Sequence, residues 1–451
     1  MLSNIGLKSF KAFENESIEL KPITIFLGPN NAGKSSALAS LRLLVQTIES
    51  YDNRIPLLLN GILGDFGTYR DIVFQNSKKR HIDIDLTLTP PYHFNTPKSI
   101  NIDKIYLHLT FKYRSKRREI ILNSIRLKTD NNILFESEYY DDSERQLIQR
   151  IGNKEVPSSL KSVLSKQLRM QNFVPQYFPY FQSEKENSAV SDFVTEEVRN
   201  NMRIINRVGY IIEYSLRNIE YLGAMRVPPE RTYLYTGERR QRIGSKGENS
   251  ANIIAMDDAR SGSKSQNIVK RLGNWLNKAG MGQNIKIENI SERHYEIRIK
   301  HPKSSESQNF ADTGYGNSQV LPVIIGGLNL EKNASYIIEQ PEIHLHPKAQ
   351  SELGDYFLNL YLNGNQSIIE THSEHMVLRL QQHVANQEIK PDDILFYYIY
   401  STSDGKQIKK LTLDEKGRFN EDWPEGFFPE RLEEAKKLSK IRFSEYATKK
   451  E

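Results

Sequence analysis

Residues Gly28-Pro29-Asn30-Asn31-Ala32-Gly33-Lys34-Ser35 satisfy the phosphate-loop pattern in full, directly behind the apolar run Ile23-Thr24-Ile25-Phe26-Leu27. No other feature constrains the fold so tightly. The pattern needs a strand, a glycine-rich loop whose backbone N–H groups curl round phosphates, and a helix whose N-terminal dipole faces them. Ser36 onward, through Leu38, Leu41 and Leu44, reads as that helix. Lys34 then reaches the terminal phosphates and the Ser35 hydroxyl suits magnesium, with Gly28, Asn30, Asn31, Gly33 and Ser36 completing the candidate binding set. A chance glycine-rich turn is the bland alternative, and it is weak because strand, loop and helix occur in the required order. The expected ligands are ATP and Mg2+.

The chain has 451 residues, 38% of them apolar, enough for a substantial core and, at roughly 100 to 200 residues per domain, for two or three domains. It has no cysteine, which excludes disulfides, thiolate metal sites and cysteine nucleophiles and fits a reducing cytoplasm. No apolar run approaches the ~20 residues of a bilayer span, and Met1-Leu2-Ser3-Asn4 does not open a leader, so a cytoplasmic protein without membrane contact is expected. The net charge of +6 permits DNA or RNA contact without requiring it.

Strand patterns over Ile5–Phe10, Ser17–Leu20, Ile23–Leu27, Ile82–Leu88, Ile105–Phe111 and Ile120–Leu127 place a strand-rich lobe with an antiparallel sheet in residues 1–150. Residues 151–218 read as a mainly helical insertion, an arm carrying the aromatic cluster Phe173, Tyr177, Phe178, Tyr180 and Phe181. A second lobe spans 219–385: a loop-rich stretch from Arg226 to Ser250, a helix near Ser265–Lys278, a strand at Tyr295–Lys300, and three motif-bearing segments. Residues 386–451 read as a C-terminal extension with one apolar strand, Ile394–Tyr400, and the aromatic segment Trp423–Phe428.

Three further segments carry chemistry. Tyr336-Ile337-Ile338-Glu339 is a buried-type strand ending in a carboxylate, and a phosphate-loop ATPase needs such an acid to hold magnesium at the end of a neighbouring strand. Ser367-Ile368-Ile369-Glu370-Thr371-His372 is another short strand, whose His372 is placed to sense the terminal phosphate or position water; alone it would be an ordinary strand-end histidine. Asp312-Thr313-Gly314-Tyr315-Gly316-Asn317-Ser318-Gln319 precedes an apolar helix from Val320 to Leu330 and makes a second anion site. One phosphate does not need two cradles, so the economical reading is a composite site in which the loop of one subunit and Gly314, Gly316 and Ser318 of another close on one ATP.

Taken together, these four motifs in order resemble the ABC-type ATPases, in the branch that includes the overcoming-lysogenization-defect proteins, the RecF-like repair ATPases and stand-alone prokaryotic defence ATPases. The resemblance covers the N-terminal lobe and residues 305–380, including the wording Glu-Gln-Pro-Glu-Ile-His-Leu-His-Pro at 339–347 and Glu-Thr-His-Ser-Glu-His at 370–375. It implies an α/β ATPase head built from two sequence-distant lobes. By the same carry-over Lys34 and Ser35 bind phosphate and magnesium, Glu339 is the magnesium acid, Gly314, Gly316 and Ser318 are the signature acting in trans, His372 is the switch histidine, and Gln75 is the glutamine-loop residue, also near the metal.

One departure matters for chemistry. The usual catalytic glutamate is replaced by Gln340, which cannot accept a proton from water, so either Glu342, two residues on along an extended chain, is the base, or turnover is slow and ATP acts as a clamp. The resemblance implies a dimeric or higher-order switch in antiviral defence, sensing phage or nucleic acid. The tail lacks a carboxylate cluster, Asp392-Asp393 and Glu433-Glu434 reading as a helix start and a solvated face, so a nuclease or toxin activity falls to a separate effector protein. A slow ATP-bound scaffold that sequesters a partner, and a RecF-like DNA repair ATPase, are the alternatives; a transporter subunit is a distant third. The basic runs Lys112–Arg118 and Arg239–Arg242 could grip phosphates, though such runs are more often hydrated turns. His344, His346, His372 and His375 invite a zinc reading, which lacks cysteines and a matching carboxylate pair.

Overall fold

The computed structural model describes residues 1–90, 102–130, 132–141, 145–178, 193–238, 240–260, 265–301, 304, 306–402 and 405–422. Tyr180, Phe181, Arg239, Trp423–Phe428 and Glu433-Glu434 from the sequence reading lie outside them.

A central sheet is assembled from distant parts of the chain. Its strands are β1 (Ile23–Leu27), β2 (Ile219–Leu222), β3 (Ser335–Glu339), β4 (Gln366–Glu370), β5 (Ile394–Thr402) and β6 (Gly405–Leu411). The order is β2-β3-β4-β1-β5-β6, with every pair parallel except β5–β6. Continuous apolar runs such as Ile23-Thr24-Ile25-Phe26-Leu27 suit this sheet because both of its faces are covered. Alternate side chains point to opposite faces. Phe26, Ile337, Ile368 and Leu395 join a core that includes Leu38, Leu41 and Leu44 of helix α1 (Lys34–Ile48), whereas Ile25, Ile338, Ile369 and Phe396 join a second core. That second core is closed by α2 (Tyr315–Leu328), α3 (Pro347–Leu362) and α4 (Glu374–Ala385).

The first core also packs against an eight-stranded antiparallel sheet. Its spatial order is 154–155, 145–151, 132–140, 119–129, 105–114, 82–88, 2–10 and 13–19. Strand 82–88 alternates buried positions with half-buried or exposed ones, as a half-covered sheet requires. The α/β head drawn from distant segments is therefore what the chain builds. Buried Gln366 clasps the two sheets: its Nε2 donates to Leu2 O (2.7 Å) and Lys21 O (3.1 Å), and its Oε1 accepts from Leu2 N (3.2 Å) and the Ser335 hydroxyl (2.9 Å).

The structure departs from the sequence reading in three places. Strands Asn132–Tyr140 and Arg145–Ile151 are too polar to announce themselves, being partly exposed towards the sheet's edge. The insertion read as mainly helical over 151–218 is helical over Ser158–Gln167 and Glu196–Arg217, but a hairpin, Leu168–Gln171 with Val174–Tyr177, turns at Asn172 (φ 55°). The tail strand is no appendage: β5 pairs directly with the phosphate-loop strand β1. Among the described residues no helix is long and apolar enough to cross a membrane.

Candidate nucleotide-binding site

The loop between β1 and α1 takes the conformation the glycines permit. Gly28 (φ 136°) and Gly33 (φ 112°) lie where L side chains are strained, and a Cβ on Gly28 would sit 2.0 Å from Ile399 O of β5. Residues 30–36 with Gln340 and Glu370 line a cleft of about 620 Å³, a volume suited to a nucleotide. Lys34, 3% exposed, folds back so that its Nζ donates to Gly28 O (3.0 Å) and Pro29 O (2.9 Å). Burial lowers its pKa against the opposing pull of Glu370 and Glu342.

Three carboxylates gather in this region, two of them, Glu370 and Glu342, acting on this lysine. Glu370, at the end of β4, was missed by the sequence reading, which took from that segment only His372. Its Oε2 accepts the Ser35 hydroxyl at 2.8 Å and its Oε1 lies 3.9 Å from Lys34 Nζ. Burial, then the nearby Glu339 charge, pushes its pKa up against the Ser35 bond and Lys34. Glu339 is its register partner on β3 and points to a different neighbour. Its Oε1 accepts from Arg42 Nη1 (3.3 Å) and the Tyr221 hydroxyl (3.0 Å). Arg42 is stacked against Tyr221 and Phe66, 4.2 Å and 5.0 Å from the ring centroids.

Glu342 is third, and here the assumed extended chain is corrected. Gln340 adopts φ 45° and residues 341–344 form a turn, so Glu342 does not follow Gln340 into the cleft lining. It lies buried behind, its Oε1 accepting the His372 backbone N–H at 2.7 Å. Its Oε2 has no hydrogen-bond partner among the described residues, nor does His372 Nε2. Burial raises the Glu342 pKa, and burial plus the Lys34 charge lowers that of His372, keeping the imidazole neutral. A general base must come within hydrogen-bond reach of the water it deprotonates, and Glu342 is not among the residues that line the cleft.

The remaining assignments separate. Gln75 (φ 55°) accepts from Arg80 Nη2 at 3.3 Å and is outside the cleft lining. Gly314 caps α2, with nothing within 4 Å of a Cβ placed on it, and Tyr315 beside it is 57% exposed. A Cβ on Gly316 would lie 2.5 Å from His344 O, so glycine there lets α2 approach the turn after β3. Ser318 is buried, and its hydroxyl donates to Tyr315 O at 2.7 Å rather than facing outward. None of Gly314, Gly316 and Ser318 lines the phosphate cleft of its own chain.

A magnesium ion bound with nucleotide takes one or two carboxylates and the phosphates. Ser35, Glu370 and Glu339 are the donors that fit it, while among the described residues no group of three or more His, Asp or Glu could hold a metal by itself. His346 instead caps α3, and His344 packs edge-on against Tyr315 at 4.9 Å. Part of the basic runs is spent on acids: Lys112 and Arg114 reach Asp141 at 3.9 Å and 3.5 Å, and Arg240 reaches Glu238 at 2.8 Å.

No curated protein matches the chain. Among solved structures it is similar to the SmcHead bound to the C-winged helix domain of ScpA (13% identity, TM-score 0.44, covering 92% of this chain and 98% of that one). It is also similar to the SMC head domain from Thermotoga maritima (10%, 0.40, 90% and 98%). A third is the Smc head domain with an extended coiled coil bound to the C-terminal domain of ScpA, from Pyrococcus furiosus (13%, 0.44, 98% and 99%). Residues 389–438 match a family described only as a protein of unknown function. The AAA ATPase domain profile matches residues 1–377 of the 451, and the chain belongs to that family.

Proposed function

We propose that this ATPase domain works as a dimeric or higher-order switch of the ABC type, in which each head binds ATP and Mg2+ on its own phosphate loop and completes its partner's site with the start of α2. The observation that carries this reading is the separation of the two anion sites: Gly314 and the exposed Tyr315 lie outside the cleft of their own chain, free to meet another. Bound magnesium would supply charge neutralisation at the phosphates. Of the chain's own groups, Lys34 exchanges its two carbonyl partners for phosphate, Ser35 and Glu370 with Glu339 hold the metal side, Glu342 takes the proton of the attacking water, and neutral His372 orders that water or the terminal phosphate.

The role in antiviral defence, with a separate nuclease or toxin as effector, rests on the resemblance of the motif wording to the lysogenization-defect and RecF-like branch. A second reading, a slowly turning or static ATP-bound scaffold, is favoured by one observation: at the position just after β3 the cleft is lined by Gln340, not by a carboxylate. The ATPase rates of the wild type and of Glu342→Gln, with and without DNA, separate the two. Turnover lost in Glu342→Gln by about 10²-fold or more identifies the base and supports the switch. Tight ATP binding without turnover in either protein supports the scaffold.

A further inference from the structure

The stretch after β2 reads in the sequence as loop-rich, yet it delivers one of the most buried cations among the described residues. Arg226 is 7% exposed. Its Nη2 donates to Glu339 O (2.8 Å) and Gln340 O (3.0 Å), and its Nη1 donates to Gln319 O (3.3 Å). The first two carbonyls belong to the residues that end β3 and enter the cleft; the third belongs to α2, one position beyond Ser318. A planar guanidinium has the fork geometry to hold three carbonyls in fixed relation, and an ammonium does not.

Independent contacts make the same junction tight. The turn after β3 is bracketed by two non-glycine residues at positive φ, Gln340 (45°) and His344 (61°). A conformation of this kind persists when its surroundings over-determine it. Gln340 N donates to Glu370 O (2.7 Å), tying the turn to the strand whose carboxylate holds Ser35. At its other end, His344 is packed against Tyr315 and Gly316. Within α2, Pro322 lacks the N–H that would bond Ser318 O, so the first turn is joined to the rest of the helix by one bond fewer.

From this geometry we infer that Arg226 is a positioning residue that couples the phosphate cleft to the start of α2 in the same chain. Movement of Gln340 at the cleft carries its carbonyl, and with it Arg226 and Gln319. The inference deepens the composite-site reading and rests on it for its consequence: nucleotide in one head would set the geometry that this head offers to its partner's nucleotide.

Hydrogen exchange of the full chain, diluted until it is monomeric by mass and titrated with Mg2+ and the non-hydrolysable analogue AMP-PNP, tests the coupling without needing a dimer. In the wild type the analogue slows exchange in peptides covering both 28–36 and 314–321, the latter by about fivefold or more. In Arg226→Lys and Arg226→Gln the 28–36 response remains and the 314–321 response is lost. A wild-type 314–321 segment indifferent to the analogue overturns the inference whatever the variants do, as does a response retained in a variant. Tyr315→Ala, an exposed change that leaves the guanidinium bonds in place, keeps the response; loss there would move the coupling from Arg226 to the His344 contact. If the monomer shows the coupling but the chain never associates with ATP, the composite site fails and the coupling stands.

Discussion

Glu370 shows what a single side chain adds to a familiar loop. Its bond to Ser35 and its approach to Lys34 place a carboxylate beside the phosphate loop, whereas Glu339 is engaged by Arg42 and Tyr221. Glu370→Gln keeps an acceptor for the Ser35 hydroxyl but removes the charge. We expect turnover to fall by about 10²-fold and the magnesium requirement to rise, with nucleotide affinity changed far less. Steady-state rates over a magnesium titration would show this, and an unaltered metal dependence would return the acid role to Glu339 alone. Lys34 and Ser35 were legible in the sequence because strand, loop and helix are contiguous. Glu370 was not, because its contact joins residues 335 apart and nothing local marks it. Arg226 escaped for the same reason: its partners lie 93 to 114 positions away.

At the scale of elements, α3 and α4 are joined by a charge cluster around buried His383 rather than by apolar packing alone. His383 meets Asp355 at 2.6 Å through Nε2 and Glu388 at 2.6 Å through Nδ1, and Arg379 also bonds Asp355 (2.8 Å). Burial works against the imidazolium, but the two carboxylates prevail and raise the His383 pKa. Burial likewise opposes the Asp355 charge, and the bonds from His383 and Arg379 prevail and lower its pKa. The signs follow. The histidine's contribution is full below its unfolded value near 6.5 and is lost as pH rises through the higher folded value; the aspartate's is full above about 4 and is lost as pH falls. Hence His383→Ala should cost about 1.5–3 kcal/mol at pH 6 and clearly less at pH 9, read from urea unfolding at the two pH values. An equal cost at both would mean that the imidazole acts only by packing. Apolar runs revealed β1, β3, β4 and β5 in the sequence; the strands 132–140 and 145–151 stayed hidden, since half-exposed strands near a sheet edge need little hydrophobic pattern.

The whole molecule depends on segments far apart in sequence closing one head, and Gln366 is where that closure can be probed. Gln366→Leu leaves the main-chain N–H and carbonyl of Leu2 without this buried partner, at about 1–3 kcal/mol for each unsatisfied group, while the Lys21 carbonyl keeps the Thr24 hydroxyl. A lower melting temperature with faster exchange along strand 2–10 is expected; an unchanged melting curve would show that the clasp contributes nothing. The sequence revealed that two lobes must meet, through the order of its motifs. It did not reveal how, because the clasp, Arg226 and the placement of β5 beside β1 are all long-range. The central claim is that ATP joins two such heads. It is tested most directly by the mass of the purified chain in solution, without nucleotide and with ATP and Mg2+, beside Lys34→Ala. Doubling of mass with ATP in the wild type, absent in Lys34→Ala, is the predicted result; a wild-type chain that binds ATP and keeps the same mass would contradict it.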